Sequence, residues 1–281
     1  MNTTETKNPL DGIQDLPAIT TESNRAELFA NAKRGFVRLR KDFAQKTDKP
    51  RGDTILAKLV HEHKERPLDL LLTIHALQPI LEGSPLPMGV WARLLGCTER
   101  TVRTSLRYLE DIKLLEIQGK TSMPEIVLLK ENGDKTPWTD TQDRSDGNRG
   151  FFTLPFEYWT EGTIDTLKLA GKTMMLIILK ETQDPNAKRM TFVMALERAQ
   201  EWYGISERTA ERGLLQLRKA GLLNEKSQLV PDARHPLGRR EEWHRVLNHP
   251  YSTANRETLR AAAKAATERP SAKKSIPEGT A

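Results

Sequence analysis

Apolar positions in two parts of the chain recur at helical spacing and in the same register. Both stretches begin Gly-x-[Ser/Thr]-Glu-Arg-Thr and continue with apolar residues at i, i+4 and i+7, a stripe typical of a helix that packs on one side only. The first stretch carries Val102, Leu106 and Leu109, and the second carries Ala210, Leu214 and Leu217. Later leucines also match without a gap. The pattern therefore predicts one structural unit used twice.

Each stretch is interpreted as the turn and second helix of a helix-turn-helix. Gly96 and Gly204 supply the left-handed residue that ends a first helix, and Thr98 and Ser206 can cap the second. The first helices are predicted from Val90, Leu94 and Leu95 in one copy, and from Ala195, Ala199 and Trp202 in the other. Neither copy has Glu or Gln three residues after its cap, so only the simple cap is expected.

The outward faces of the second helices carry arginines and short polar side chains. A helix of this kind fits the major groove of B-DNA, where Arg pairs with guanine and Thr or Gln with other base edges. The predicted DNA contacts are Arg100, Thr101, Arg103, Thr104 and Arg107 in the first copy, and Arg208, Thr209, Arg212 and Gln216 in the second. The alternative is an ordinary helical hairpin with solvated arginines.

The two outward faces differ in their contact residues. Arg103 is replaced by Glu211, and Thr104 by Arg212. Two such helices are expected to read two different half-sites of duplex DNA, or one binds DNA and the other binds protein.

A β-rich pair of runs follows each helix and predicts a hairpin. The first pair is 114–118 and 125–129, with Lys120 at its tip placed to reach phosphate. The second lies between Leu229 and Leu247 and has a long tip that carries Arg234, Arg239 and Arg240. Arginines on such a tip suit the minor groove, and the alternative is a solvated basic loop.

Helix, helix-turn-helix and hairpin in this order resemble the winged helix. The second copy also resembles the winged-helix modules of bacterial transcriptional regulators, in particular those of actinobacterial plasmids and phages. That resemblance covers about 150–250 and depends on Phe-x-Leu-Pro-x-Glu-Tyr-Trp at 152–159 and on 201–214. It implies a transcriptional regulator. Tandem winged helices also resemble plasmid or phage replication initiators, and a protein-interaction adaptor is a third possibility.

The fold class expected is mainly α with small β-hairpin wings (α+β), as two winged helix-turn-helix domains in tandem. Core helices are predicted over 68–81 and 172–179, and a strand over 151–155 is followed by a helical turn. The predicted divisions are a disordered N-terminus (1–24), a basic amphipathic helix (25–52), the first domain (53–130), a flexible linker (131–149), the second domain (150–250), and an Ala-rich weak helix with a disordered tail (251–281).

The basic segment before the first domain is a further candidate for DNA contact. Between Arg25 and Arg51 there are nine Lys or Arg against three acids, an excess equal to the +6 of the whole chain. Apolar residues at spacings of three and four predict a helix from Arg25 to Lys46. Its basic arm, expected to lie along phosphates, is Lys33, Arg34, Arg38, Arg40 and Lys41. The alternatives are a solvated helix or a membrane-surface helix.

Composition adds a broad class. The 281 residues have a pI of about 9.3, which permits nucleic acid as a partner. The one cysteine, Cys97, indicates a reducing compartment, and no signal peptide or membrane segment is expected. A cytoplasmic, nucleoid-associated protein is predicted, with a homodimer or the transcription or replication machinery as possible further partners.

No enzyme motif in the sequence is complete. Gly171-Lys172-Thr173 matches the end of a phosphate-binding loop, but Thr166 stands where its first Gly is required. His61-Glu62-His63 lacks the pattern of paired nickase histidines, and the other histidines lack metal-finger spacing. The expectation is a non-enzymatic protein with no cofactor and no metal.

Overall fold

The structure, a computed structural model, describes residues 18–46, 51–81, 83–139, 150–183 and 190–268. It is mainly helical with small antiparallel sheets, an α+β protein. The helices are α1 (Thr21–Ala30), α2 (Ile55–His61), α3 (Glu65–Leu81), α4 (Met88–Leu94), α5 (Glu99–Asp111), α6 (Glu157–Thr160), α7 (Thr163–Thr166), α8 (Leu169–Glu181), α9 (Ala199–Tyr203), α10 (Glu207–Lys219) and α11 (Thr253–Glu268). The strands are β1 (Phe36–Arg40), β2 (Leu115–Lys120), β3 (Met123–Leu128), β4 (Phe151–Pro155), β5 (Phe192–Val193), β6 (Leu223–Pro231) and β7 (Arg239–Leu247).

The two copies of the repeated sequence have matching local structure. Gly96 and Gly204 have φ of 57° and 66°, in the left-handed region. Helices α5 and α10 each have 13 residues and begin after Thr98 or Ser206, whose hydroxyl accepts a hydrogen bond from the backbone N–H three residues on. The antiparallel hairpins β2–β3 and β6–β7 follow. The predicted glycine turns, caps, helices and hairpins are confirmed at the level of these elements.

The helix before the second turn is shorter than predicted. A 3-10 turn at Leu196–Arg198 leads into α9, and Ala195 lies before both and is exposed. The prediction that Ala195 lines this helix is therefore wrong. Ala199 is buried as expected. The first helix of the second copy is therefore present, but with only the five residues of α9.

The predicted basic helix over 25–46 is wrong in its second half. Helix α1 begins after a capping box at Thr20 and Ser23 and ends at Ala30. Residues 36–40 form β1, which pairs antiparallel with β4, Phe36 opposite Pro155 and Arg40 opposite Phe151. The long-range strand pairing overrides the local spacing. The start of α1 also corrects the predicted disorder of 18–24, whereas 1–17 lie outside the described residues.

The two repeats share one core and are not separate domains joined by a free linker. Strand β1 lies before the first repeat but pairs with β4, and α8 packs on both α2 and α10. The indole Nε1 of Trp159 donates to Thr73 Oγ1 at 3.0 Å, and both residues are buried. One buried apolar cluster spans both halves.

The segment after the first hairpin also joins this core. Leu129 and Pro137 form an isolated bridge, and Trp138 is buried with its ring 5.0 Å from that of His75. The predicted flexible linker is therefore wrong for 131–139. The rest of it, 140–149, lies outside the described residues.

Helix α11 is held to the core by one buried arginine. Arg256 is 1% exposed and donates to Leu179 O at 3.0 Å, Gln183 Oε1 at 2.6 Å and Thr182 Oγ1 at 2.7 Å. Burial lowers the pKa of Arg256 to about 10, still well above neutral pH. The predicted Ala-rich helix is present, and this anchor connects it to the end of α8. The predicted tail after 268 lies outside the described residues.

A buried ion group joins α3 to α8. Lys172 Nζ lies 2.6 and 2.8 Å from the two carboxylate oxygens of Asp69 and 3.2 Å from Glu65 Oε1. Glu65 Oε2 also accepts from Leu169 N at 3.0 Å, at the start of α8. Since Lys172 is buried in this group, its side chain is not open to a bound phosphate.

Candidate nucleic-acid interface

Helix α5 presents its arginines to solvent beside acidic side chains. Arg100, Thr104 and Arg107 are exposed. Arg103 Nη2 donates to Glu99 Oε2 at 2.9 Å, an i,i+4 ion pair that is about half exposed on both sides. An exposed pair of this kind contributes at most about 1 kcal/mol, so the release of Arg103 from Glu99 costs little free energy.

The first-turn threonines take part in the helix caps. The hydroxyl of Thr101 lies 2.9 Å from that of Thr98, and the hydroxyl of Thr209 lies 2.8 Å from that of Ser206. Each threonine also donates its backbone N–H to the same cap. Predicted as DNA contacts, Thr101 and Thr209 therefore also help to fix the first turn of the helix.

The far end of α5 is braced by the loop between α2 and α3. Tyr108 donates its hydroxyl to Glu62 Oε2 at 2.9 Å, and Lys64 Nζ lies 4.6 Å above its ring. Burial, followed by the Glu62 hydrogen bond, raises the pKa of Tyr108 well above its usual value. The phenol therefore stays protonated and holds α5 in place against this loop.

Helix α10 presents a more positive face. Arg208 and Arg212 are exposed, together with Arg218 and Lys219 near its end. These four cations outnumber the two acids of the helix, Glu207 and Glu211, whereas α5 carries three of each sign. Arg218 is paired, because its Nε donates to Glu225 Oε2 at 2.9 Å. Leu215 is also exposed, so the surface of α10 mixes charge with one apolar side chain.

Gln216 does not face outward as predicted. Its Oε1 accepts hydrogen bonds from Lys168 N at 3.1 Å and Gly171 N at 3.2 Å. Helix α8 has no side-chain cap of its own at Lys168, so Gln216 supplies one from the neighbouring helix. The prediction that the Gln216 side chain points outward to contact DNA is therefore wrong.

Two glycines permit this close approach of α8 and α10. A Cβ on Gly213 would lie 2.3 Å from Ala170 O and 2.4 Å from Met174 Cγ. A Cβ on Gly171 would lie 2.7 Å from Gln216 Oε1. The first copy has Ser105 where the second has Gly213, which shows that the two repeats pack differently on their supports. In the sequence, the glycine at position 213 was the signal for this close contact between α8 and α10.

The first hairpin is short and anchored at its tip. Met88 N donates to Ser122 O at 2.8 Å, which ties the turn to the start of α4, and Ile117 N donates to Glu110 Oε1 at 3.1 Å. Lys120 is exposed beside this turn. The hairpin therefore holds one cation on a fixed support.

The second hairpin is longer and carries more cations. Its strands have nine residues each, and Arg234 and Arg239 are exposed at its tip. Arg240 is also half exposed, but it lies 2.9 Å from Glu242 Oε2 and 3.5 Å from Asp232 Oδ2. The acids hold Arg240 along the hairpin, and Arg234 and Arg239 are better placed to contact a nucleic acid.

Sequence reasoning missed an apolar patch on the same hairpin. Trp243 and Leu229 are both exposed. Trp243 pairs with Ser227 and Leu229 pairs with Glu241, so the two pairs are two positions apart along each strand and both side chains lie on the same face of the hairpin. The alternation of side chains along β6 and β7 could have indicated this patch, because Leu229 and Trp243 both fall at odd-numbered positions of their strands. The patch gives the hairpin an apolar side beside its arginines.

The basic arm is not one continuous surface. Arg40 is buried, and its Nε lies 3.3 Å from Glu131 Oε2, so the predicted phosphate contact at Arg40 is wrong. Its burial follows from the pairing of β1 with β4. Lys33, Arg34, Arg38 and Lys41 remain at least partly exposed, spread over the turn after α1, strand β1 and the 3-10 turn that follows.

Other chemistry is not assembled in the described part of the chain. The described ranges contain no group of three His, Cys, Asp or Glu side chains that could hold a metal ion. Among the same residues, no helix has the length and apolar character needed to cross a bilayer. His61, Glu62 and His63 are all exposed on the surface.

No protein-family model, curated protein or solved structure matches this chain.

Proposed function

We propose that this protein binds double-stranded DNA in a sequence-specific manner through two winged-helix units, with α5 and α10 as the recognition helices. The observation that supports this most strongly is the duplicated unit itself. In both copies a left-handed glycine precedes a capped 13-residue helix with exposed arginines, and a β-hairpin with an exposed cation at its tip follows. An ordinary structural hairpin does not require this combination twice.

The second unit is expected to contribute more of the affinity for DNA than the first. Its helix carries twice as many cations as acids, and Arg234 and Arg239 extend the positive surface along the hairpin. Contacts of Arg with phosphates and with narrow minor grooves supply affinity that depends steeply on salt. The first unit, with equal numbers of both charges on α5, contributes mainly specificity through Arg100, Arg103 and Arg107.

A transcriptional regulator is the role we infer for this DNA binding. Two recognition helices with different contact residues fit an asymmetric operator, in which each helix reads its own half-site. Genome-wide occupancy of the tagged protein, followed by footprinting with purified protein, tests the role. Peaks over promoters are expected. A single cluster of repeats beside its own gene would indicate a replication initiator, and the absence of discrete peaks would contradict sequence reading.

The recognition helices are tested on the strongest footprinted site. Arg103→Ala and Arg212→Ala are each expected to weaken specific binding by about 1–3 kcal/mol and to relax the preference at one base position. Arg198→Ala is the matched control, because Arg198 is exposed and paired with Glu201 at 2.6 Å but lies outside both helices. Equal affinity of both variants and wild type would remove α5 and α10 from the interface.

A further inference from the structure

The turn of the second hairpin exposes a leucine. Leu237 is 77% exposed, more than any other large hydrophobic side chain in the part of the chain that the structure describes. It lies between the end of β6 and the start of β7, directly after Pro236. The opposite end of the hairpin, at Leu223 and Leu247, is buried against the core. Leu237 is therefore presented at the end of the hairpin that points away from the core.

Hydrogen bonds within the turn hold this leucine in a defined position. Asp232 N donates to Gly238 O at 3.0 Å, and Gly238 N donates to His235 O at 2.8 Å. Leu237 N donates to His235 Nδ1 at 3.2 Å. Pro236 has a fixed φ, which further limits the conformations of the turn. Because the turn is already ordered, a partner that covers Leu237 loses little free energy in ordering it.

Two arginines flank the exposed leucine. Arg234 and Arg239 are exposed, and within the described ranges neither guanidinium has a hydrogen bond or an ion pair. Arg240 differs, because it is paired with Glu242 at 2.9 Å. An apolar side chain between two available cations matches a ligand with an apolar interior and anionic edges. Stacked base pairs between two phosphate chains have this arrangement, and a narrow minor groove attracts arginine through its negative potential.

The hairpin is long enough to reach a neighbouring groove of DNA. Five residue pairs, from Ser227 opposite Trp243 to Pro231 opposite Arg239, lie beyond the part of β7 that pairs with β5. At roughly 3.3 Å per residue these pairs span about 16 Å before the turn is added. Adjacent major and minor grooves are about half a helical turn apart, or roughly 17 Å. The minor groove is only about 6 Å wide, so the turn can enter it and the two-stranded part cannot.

We propose that Leu237 inserts between two base pairs from the minor groove and kinks the DNA, while Arg234 and Arg239 contact the flanking phosphates. This inference rests on the proposed DNA binding and adds DNA bending to it. Apolar side chains inserted in this way partly unstack one base step and bend the duplex by about 20–90° toward the major groove. Pyrimidine–purine steps such as TA unstack most easily, so one is expected where the turn contacts the binding site.

The first test measures bending of the strongest footprinted site in a duplex with a donor and an acceptor fluorophore at its two ends. Wild type should increase energy transfer by an amount that corresponds to a kink of at least about 20°. Leu237→Ala should lose most of this bend while its affinity falls by at most about tenfold, because the recognition helices are unchanged. Leu229→Ala is the matched control, since Leu229 is 57% exposed on the same hairpin but lies in β6 and not in the turn. It should bend the DNA as wild type does, with the fold of both variants checked by circular dichroism.

A second test reports the unstacking directly. With 2-aminopurine in place of the adenine of the TA step, its fluorescence should rise severalfold on binding wild type or Leu229→Ala, and should stay nearly unchanged with Leu237→Ala. Arg234→Gln and Arg239→Gln should each lower the slope of log affinity against log salt by about one, because each removes one phosphate contact. Arg240→Gln should change the slope less, since Arg240 is already paired with Glu242.

The outcomes separate the insertion of Leu237 from DNA binding itself. A specific footprint without bending, or bending and 2-aminopurine signals in Leu237→Ala equal to those of wild type, would overturn the insertion and leave the proposed DNA binding intact. If wild type gave no specific footprint, both the proposed function and the insertion would be overturned.

Discussion

The buried ion group between α3 and α8 is predicted to contribute to the union of the two repeats. Lys172 is 1% exposed and the side chain of Asp69 is 0% exposed. Replacing Lys172 with Met keeps the length of the chain but removes the ammonium that lies 2.6 and 2.8 Å from the Asp69 oxygens. The carboxylate then keeps only the longer ion pair with Arg66, whose Nη1 lies 3.7 Å from Asp69 Oδ2 and whose side chain is 45% exposed.

The expected cost of Lys172→Met is about 3–5 kcal/mol of unfolding free energy, the range for breaking one side of a buried pair. The double variant Lys172→Met with Asp69→Leu should recover most of this loss, because both charges are then replaced by apolar side chains of similar shape. Urea unfolding at neutral pH, followed by tryptophan fluorescence and circular dichroism, measures both. One transition should be seen by both probes, since the repeats share a core.

The pH dependence of the single variant provides a second check. Burial raises the pKa of Asp69 to about 6, against the opposing effect of Lys172. For an acid whose pKa is raised by folding, the stabilising contribution is complete below the unfolded pKa and is lost as the pH rises through about 6. In Lys172→Met the pKa of Asp69 is raised further, because the ammonium that opposes the effect of burial is gone. The loss of stability relative to wild type should therefore be smaller at pH 5 than at pH 7. A single variant that loses less than about 1 kcal/mol, or costs that simply add in the double variant, would refute the reasoning.

Three further predictions concern packing and protonation. Gly213→Ala should destabilise the fold by about 1–3 kcal/mol despite better helix propensity, because its Cβ meets Ala170 O, whereas Ser105→Ala at the matching position of the first copy should cost less than about 1 kcal/mol in the same urea assay. Gln216→Ala should cost about 1–2 kcal/mol by removing the cap of α8 while leaving DNA base preference unchanged, and a changed base preference would return Gln216 to the interface. Burial lowers the pKa of His75 to about 3, so its stabilising contribution is present above the unfolded pKa near 6.5 and is lost as the pH falls. Between pH 7 and pH 5, His75→Phe should therefore lose about 2 kcal/mol less stability than wild type loses. Parallel pH profiles of the two proteins would contradict this.

The repeated units could be predicted because their signals are local. Gly96 and Gly204 adopt left-handed φ, and Thr98 and Ser206 accept from residues three positions away. Caps, turns and one-sided stripes depend on neighbours within one or two turns, and these are visible in a single sequence. Lys113 also takes a left-handed φ, at the end of α5. The sequence did not indicate this turn, because only Gly at that position would have been a signal for a left-handed φ.

The pairing of β1 with β4 could not be predicted, because its partner is more than a hundred positions away along the chain. Residues 28 to 43 carry apolar side chains at spacings of three and four, which favours a helix when judged locally. The buried arginines were missed for the same reason. Arg25 is 1% exposed and bonds to Leu94 O and Asp165, and a charged residue is assigned to the surface unless its distant partners are known.

The shared core leads to a prediction about DNA that a flexible linker would not make. Since β1 and β4 pair and α8 packs on both α2 and α10, the proposed recognition helices are held at a fixed separation and angle. Inserting about five base pairs between the two half-sites rotates one by about half a helical turn, and inserting about ten restores the face but adds a full turn of distance. Two independent domains on a free tether would tolerate the ten-base-pair insertion, because both helices could still engage. The rigid body should tolerate neither, so footprinting and gel-shift titration should show protection at one half-site only. Retained protection of both halves with ten added base pairs would show that the repeats separate on DNA.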